Sequence, residues 1–259
     1  MSIYDKFTIH HLRTFQKDDL GTYFSEDETM YDNAIDKLIT ELKKERNYSQ
    51  ELFDGWADLM IRDPELYKQR VEEAERYEHS IDHKQEETII DVMETEEQLL
   101  ALVEMKIIYS FKQLEINIKK LLRNAFSLSS TRDFDKWEFL LRFLKDKNII
   151  ANKFDRYQDL LAFRKVNNII KHADEYEENL SSVSEFKNLS ALTYSSLETF
   201  YERVKGVPNK FLEFLKDAIY KELYEFSDLK LQEIADTLVL RMEQPEADKL
   251  IAMIQKRYQ

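Results

Sequence analysis

The stretch LALVEMKIIYSFKQLEINIKKL, residues 100–121, is where the fold is decided. Leu100, Val103, Ile107, Phe111, Leu114, Ile118 and Leu121 recur at alternating threes and fours. That spacing stacks side chains along one face of an α-helix. Met105, Ile108 and Ile116 add apolar surface elsewhere on the same segment, which predicts a helix central to the core.

Outward from this helix, breakers are scarce: the 259 residues include three Gly and three Pro. Long helices can therefore run without interruption, and an all-α fold is expected. The first thirty residues are weakly periodic and read as an arm. A helix begins near Glu28 with Tyr31, Ile35, Leu38, Ile39 and Leu42, and a second segment follows from Ser49 to Ile61. Asp63-Pro64 reads as a helix start, with Pro at the first helical position. Nothing breaks the acidic helix after it before Leu99. The SLSSTRD loop, within Phe126 to Asp133, offers several N-caps. Beyond it come helices from Trp137 to Leu144 and from Asp155 to about Glu175, then a polar connection at Glu177 to Glu185. Another helix is expected from Phe186 to Val204. Gly206-Val207-Pro208 is the clearest breaker, followed by helices over Phe211–Phe226, Leu229–Met242 and after Pro245. The organisation expected is an acidic N-terminal helical region (1–97), a central helical domain (98–205) and a C-terminal helical extension (206–259).

Composition excludes several chemistries. With no cysteine there are no disulfides, no thiolate nucleophile and no Cys-ligated zinc. The start, MSIYDKFTIHHLRTFQKDDL, lacks the uninterrupted apolar core of a signal peptide. No apolar run approaches the roughly 18 residues that span a bilayer. A cytoplasmic protein without membrane contact is expected. The net charge of −13 is unevenly spread, because residues 101–172 hold fifteen Lys and Arg against eight Asp and Glu. Such a basic segment can bind phosphate locally, although acidic and basic helices packed together give the same distribution.

The basic segment ends in FRKVNNIIKHAD, residues 163–174. At 100° per residue the reading places Phe163, Val166, Ile169, Ile170 and Ala173 on one side. Arg164, Asn167, Asn168, Lys171 and His172 are expected on the other, with Arg164, Asn168 and His172 stacked at i, i+4 and i+8. An imidazole can move a proton near neutral pH. A guanidinium can hold two phosphoryl oxygens as charge builds, and Asn can orient either. A solvated helix face with one His has the same composition.

Arg164-Lys-Val-Asn-Asn-Ile-Ile-Lys-His172 resembles the signature helix of the HEPN superfamily, small helical domains frequent in ribonuclease toxins, abortive-infection proteins and CRISPR-associated nucleases. The family motif is an Arg, four to six residues, then a His, often with Asn directly after the Arg. Here seven residues intervene, and Asn167 stands where the commonest spacing puts Arg. The segment MKIIYSFKQLEINIKKLLRNAF from Met105 is similar to the long helix that precedes the motif in that family. The resemblance implies a HEPN-like bundle with added N- and C-terminal helices and metal-independent RNA cleavage without a cofactor. His172 would act as general acid or base, Arg164 would stabilise the phosphate and Asn168 would orient the histidine. Lys165, Asn167, Lys171 and Glu115, the acidic residue often found on the preceding helix, would contribute to holding substrate. The partners implied are RNA, with tRNA as one candidate, a second copy in a homodimer, and an antitoxin or defence-system protein. The alternatives are a HEPN-like module that binds RNA or a nucleotide without cutting, and a helical interaction protein.

Two weaker patterns remain. Glu78-His79-Ser-Ile-Asp-His83, with Glu86, has an i, i+4 histidine pair that zinc accepts but lacks the Glu of zinc proteases, so no metal site is expected. Leu231 to Leu238 faintly resembles the first helix of a helix-turn-helix, yet no turn Gly follows and the next helix is basic only at its tail.

Overall fold

A computed structural model describes residues 11, 14, 16, 18, 20, 27–76, 81–172, 180–187, 189 and 191–258. Among them every regular element is helical, and the fold is all-α. The helices are α1 (Asp27–Arg62), α2 (Pro64–Arg76), α3 (Ile81–Phe126), α4 (Trp137–Asp146), α5 (Tyr157–Lys171), α6 (Tyr194–Val204), α7 (Val207–Tyr224), α8 (Asp228–Val239) and α9 (Gln244–Tyr258). They form two compact units: residues 26–113 with 158–208, and residues 1–25, 114–157 and 209–259. Residues 97 and 98 lie inside α3, and the chain passes between the units more than once. Much of the N-terminal arm, including His10, lies outside the described residues.

The 46-residue α3 follows the expected stripe. Val103, Ile107, Phe111, Leu114, Ile118 and Leu121 are all buried, and Leu99 completes the row in preference to the half-buried Leu100. Its second apolar side departs from expectation, since Met105 and Ile116 are exposed and Ile108 is only half-buried.

In the first unit, α1 runs antiparallel to α3. Lys106 Nζ reaches Asp36 Oδ1 at 2.7 Å, and Arg46 Nη1 reaches Glu96 Oε1 at 2.6 Å. Ten residues forward on α1 correspond to ten residues back on α3, which is an antiparallel register. α1 is one helix of 36 residues, where two segments were expected. The physical reason is phase. Ile35, Ile39, Leu42, Ser49, Phe53 and Trp56 are buried or half-buried on one continuous 3.6-residue stripe, so Ser49 lies within the packed face and breaks nothing. The turn into α2 is a single residue. Asp63 caps it by accepting the Leu66 N–H at 3.0 Å, and Pro64 opens the helix. Trp56 meets Tyr67 edge-on across the turn, with 6.5 Å between ring centres.

The second unit is built around aromatic side chains. Phe154 lies 5.3 Å from Phe211 and 5.7 Å from Phe214, and Trp137 lies 6.4 Å from Phe211, between ring centres. α3 and α4 both stop on a residue of positive φ, Ser127 and Asn148. Leu128 N–H then bonds the Arg123 carbonyl and Ile149 N–H the Leu144 carbonyl, which caps the orphaned acceptors of each last turn. α7 starts at Val207, four residues before the expected Phe211. Pro208 falls in its first turn, where a missing N–H costs nothing, so the break is only Lys205 and Gly206 long. The expected helix from Phe186 begins instead at Tyr194, where Thr193 forms a capping box with Ser196.

Gly55 lies inside α1, and a Cβ built on it meets nothing within 4 Å. Gly55→Ala is expected to stabilise the protein by about 0.5–1 kcal/mol, because Ala loses less backbone freedom in a helix. Thermal unfolding followed by circular dichroism should rise by roughly 1–4 °C; an unchanged or lower midpoint contradicts this account of α1.

Candidate functional site

The motif helix α5 forms because Leu160, Phe163, Val166 and Ile169 fall on one side, and all four are buried. Phe163 packs edge-on against Phe111 of α3, 5.4 Å between ring centres, and this contact fixes the rotation of α5 about its axis. Its position along the axis is held by Arg203 of α6. That guanidinium pairs with Asp159 in the first turn of α5. It also grips Glu185 with two bonds, Nε to Oε1 at 2.5 Å and Nη2 to Oε2 at 3.0 Å. Lys165 Nζ donates to Ser182 Oγ at 2.8 Å, a second tie to the same connection.

With that rotation set, Asn168, Lys171 and His172 are exposed and Arg164 and Lys165 are half-buried. Asn168, Lys171 and His172 make no side-chain ion pair with another described residue, whereas Arg164 is engaged. His172 lies just past the last helical residue, and its backbone N–H bonds the Asn168 carbonyl at 3.0 Å. At 1.5 Å per residue, Arg164 and His172 are about 12 Å apart along the axis. Ala173 and Asp174 lie outside the described residues.

Asn167 corrects the sequence reading. The polar pattern of the sequence puts it on the open face, yet it is only 1 % exposed. It stands four residues after Phe163 and seven after Leu160, positions on the packed side of a 3.6-residue helix. Its Nδ2 donates to Asn168 Oδ1 at 3.3 Å, while its own Oδ1 is buried without a partner among the described residues. It cannot touch substrate from there. Glu115 is half-buried on α3 and belongs to the other compact unit.

Sequence reasoning missed the polar cluster that ties α1 to α3 and α6. Lys106, 7 % exposed, pairs with Asp36 and lies over the Tyr201 ring at 4.7 Å. The Tyr201 hydroxyl donates to Asp32 at 2.9 Å. Lys43 Nζ lies 2.8 Å from Glu198 Oε1, which also accepts from the Tyr194 hydroxyl. Burial, then the bond to Glu198, push the Tyr194 phenol up to about 12, so it is a neutral donor. Burial would raise the Glu198 carboxyl, but the bonds from Lys43 and Tyr194 outweigh it and hold the group below the ordinary carboxylate range. Tyr194 and Glu198 are four residues apart on α6, but the pairs that join helices are 70, 155 and 169 residues apart, and no local spacing announces them.

Of the histidine pair considered for zinc, Glu78 and His79 lie outside the described residues. His83 is exposed, with Nε2 3.3 Å from Glu87 Oε1. Comparison with protein-family models, with curated proteins and with solved structures gives no match. No described helix is long and apolar enough to cross a membrane.

Two substitutions test how α5 is held. The bond from Arg203, only partly offset by burial, keeps the Glu185 carboxyl below its ordinary value of 4.5. The folded state therefore binds that proton less readily than the unfolded chain. The stabilisation is complete above about pH 4.5 and fades as pH falls through the lower folded value. Glu185→Gln should cost about 1–2 kcal/mol at pH 7 and make the acid side of the unfolding midpoint against pH shallower. An acid limb of unchanged slope contradicts the clamp. Asn167→Leu removes an unsatisfied buried oxygen at nearly constant volume. It should be neutral or stabilising by up to about 1 kcal/mol; a loss of several °C in the same thermal assay means that the oxygen has a partner.

Proposed function

We propose that this protein is a HEPN-like, metal-independent endoribonuclease of a phage-defence or toxin–antitoxin system, acting in the cytoplasm. The observation that carries the reading is the open face of α5. It presents Asn168, Lys171 and His172 to solvent beside the half-buried Arg164 and Lys165, in the order of the motif resemblance.

His172 takes the proton from a ribose 2′-hydroxyl. The 2′-oxygen then attacks the adjacent phosphorus, the bond to the 5′-oxygen breaks, and that oxygen takes its proton from water or from a protonated His172 imidazole as it leaves. The products are a 2′,3′-cyclic phosphate and a free 5′-hydroxyl. Arg164 stabilises the charge on the pentacovalent phosphate, Asn168 orients the imidazole, and Lys165 and Lys171 hold the flanking backbone. Arg164 and His172 are about 12 Å apart along α5, and helical side chains lean towards the N-terminus. A homodimer bringing two α5 faces to one phosphate closes that gap, each copy giving its Arg to the other's His. The acidic N-terminal helices offer a surface for a neutralising partner protein.

The same separation favours a second reading, in which the face holds RNA or a nucleotide without cutting. A fixed transition-state geometry tolerates little displacement, whereas binding phosphates by separate cations does not require it.

Incubation with tRNA and total RNA in EDTA tests both. Cleavage that leaves 2′,3′-cyclic phosphate ends, lowered at least about 100-fold by His172→Ala and by Arg164→Ala, is the outcome expected of the ribonuclease. RNA retention without cleavage, weakened by Arg164→Ala, leaves the binding module. Neither activity removes both readings.

A further inference from the structure

The C-terminal helices are amphipathic, yet neither buries a residue. On α8 the apolar positions are Leu231, Ile234, Ala235 and Leu238. On α9 they are Ala247, Leu250, Ile251, Ile254 and Tyr258. Each series follows the i, i+3, i+4, i+7 pattern of a helix that packs against something. Leu229, Leu231, Ile234, Ile251, Ile254 and Tyr258 are nevertheless between 42 % and 74 % exposed. Beside α8 lies a groove of about 450 Å³, with Leu229, Ile234 and Leu238 as its apolar wall. A second groove of about 620 Å³ shares Asn148, Glu222, Ser227 and Lys230 with it and adds Ile150 and Phe226.

We propose that the occupant is a second copy of this chain, with α9 of each copy seated in the groove beside α8 of the other. Three observations choose this occupant over a different protein. First, one chain carries both halves of the contact, a groove and an apolar stripe that is exposed among the described residues, so a two-fold arrangement uses each half once per copy.

Second, the charges are complementary. In the groove beside α8, Glu222 and Lys230 pair with each other and leave Glu233 as the unpaired charge; Asp228 and Asp236 lie elsewhere on α8, and no described side chain is paired with Asp228, Glu233 or Asp236. From Lys249 onward the charges of α9 are all basic, namely Lys249, Lys256 and Arg257, and they too are unpaired among the described residues. Residues 227–259 hold six acidic and five basic side chains, so two copies can meet there despite a chain charge of −13.

Third, the area is of the right order. A large apolar side chain carries on the order of 100 Å² of apolar surface. At 42–74 % exposure the six residues offer about 350 Å² per copy. Phe226, Leu240 and Met253, 51 %, 87 % and 66 % exposed, bring this region to on the order of 550 Å², against about 800 Å² per partner in a standard interface.

This contact uses α8 and α9 rather than α5, and it stands whether or not the protein cuts RNA. Light scattering on the full chain at about 10 µM, above the weakest affinity usual for an interface of this size, should give at least twice the chain mass of 31.2 kDa. The double variant Ile251→Asp with Ile254→Asp should weaken the dimer at least about 100-fold and leave the helical circular dichroism intact, because neither side chain is in a core.

Since the chain has no cysteine, an introduced one reports position. A mixture of Ile234→Cys and Ile254→Cys chains should cross-link to each other with a short bismaleimide. Ile61→Cys on α1, 74 % exposed, should not cross-link to either. A single-chain mass for the unaltered protein overturns the proposal. So does an assembly mass that Ile251→Asp with Ile254→Asp leaves unchanged, or cross-linking no stronger at 234 and 254 than at 61.

Discussion

The edge-on contact of Phe163 with Phe111 is the constraint on which the candidate site depends. Both rings are among the largest fully buried side chains of the protein. A helix with one face committed to such a contact has no freedom to turn, so the contact also decides which residues meet water. Arg203 adds the axial restraint by bridging the first turn of α5 to Glu185, and it does so from a half-exposed position. An ion pair there adds only modestly to stability, but a planar five-donor fork fixes direction better than an ammonium could. Rotation set by aromatic packing and position set by the guanidinium together aim Asn168, Lys171 and His172 at solvent.

How much of this was legible follows from how local each cause is. The α3 stripe could be read residue by residue, because burial on one side of a helix is written in a spacing of threes and fours. The Asp63-Pro64 start could be read because the cap acts on the N–H three residues away. Where the reading slipped, a local rule met a tertiary one. Ser49 looked like a boundary by composition, but its phase within the α1 stripe keeps it in the helix. Pro208 looked like a breaker, but its ring sits where α7 has no hydrogen bond to lose. Asn167 looked like a member of the open face because it is polar, although its spacing from Leu160 and Phe163 places it inside.

The contacts between α1 and α3 lie beyond any local pattern. Asp36 and Lys106 are seventy residues apart, and Arg46 and Glu96 fifty. Only the folded register shows that they are steps of one antiparallel ladder. Lys106 is informative because burying its ammonium is costly unless the charge is matched. Asp36 and the face of Tyr201 supply the match, and Asp32 in turn holds the Tyr201 hydroxyl. Because each of these groups is answered by another across α1, α3 and α6, the cluster reads as a fastening of helices.

The opposite condition marks the surfaces that carry the functional argument. On α5 the exposed groups are polar, and water satisfies them well; such a face gains from a ligand only if the ligand brings charge of the opposite sign, as a phosphate backbone does. On α8 and α9 the exposed groups are apolar. Water is the worse surrounding for them, so exposure itself is unfavourable and is relieved by any matching apolar surface. The two faces therefore differ in what would cover them: an anion for the first, a shaped apolar stripe for the second. A second copy supplies the stripe without any additional molecule.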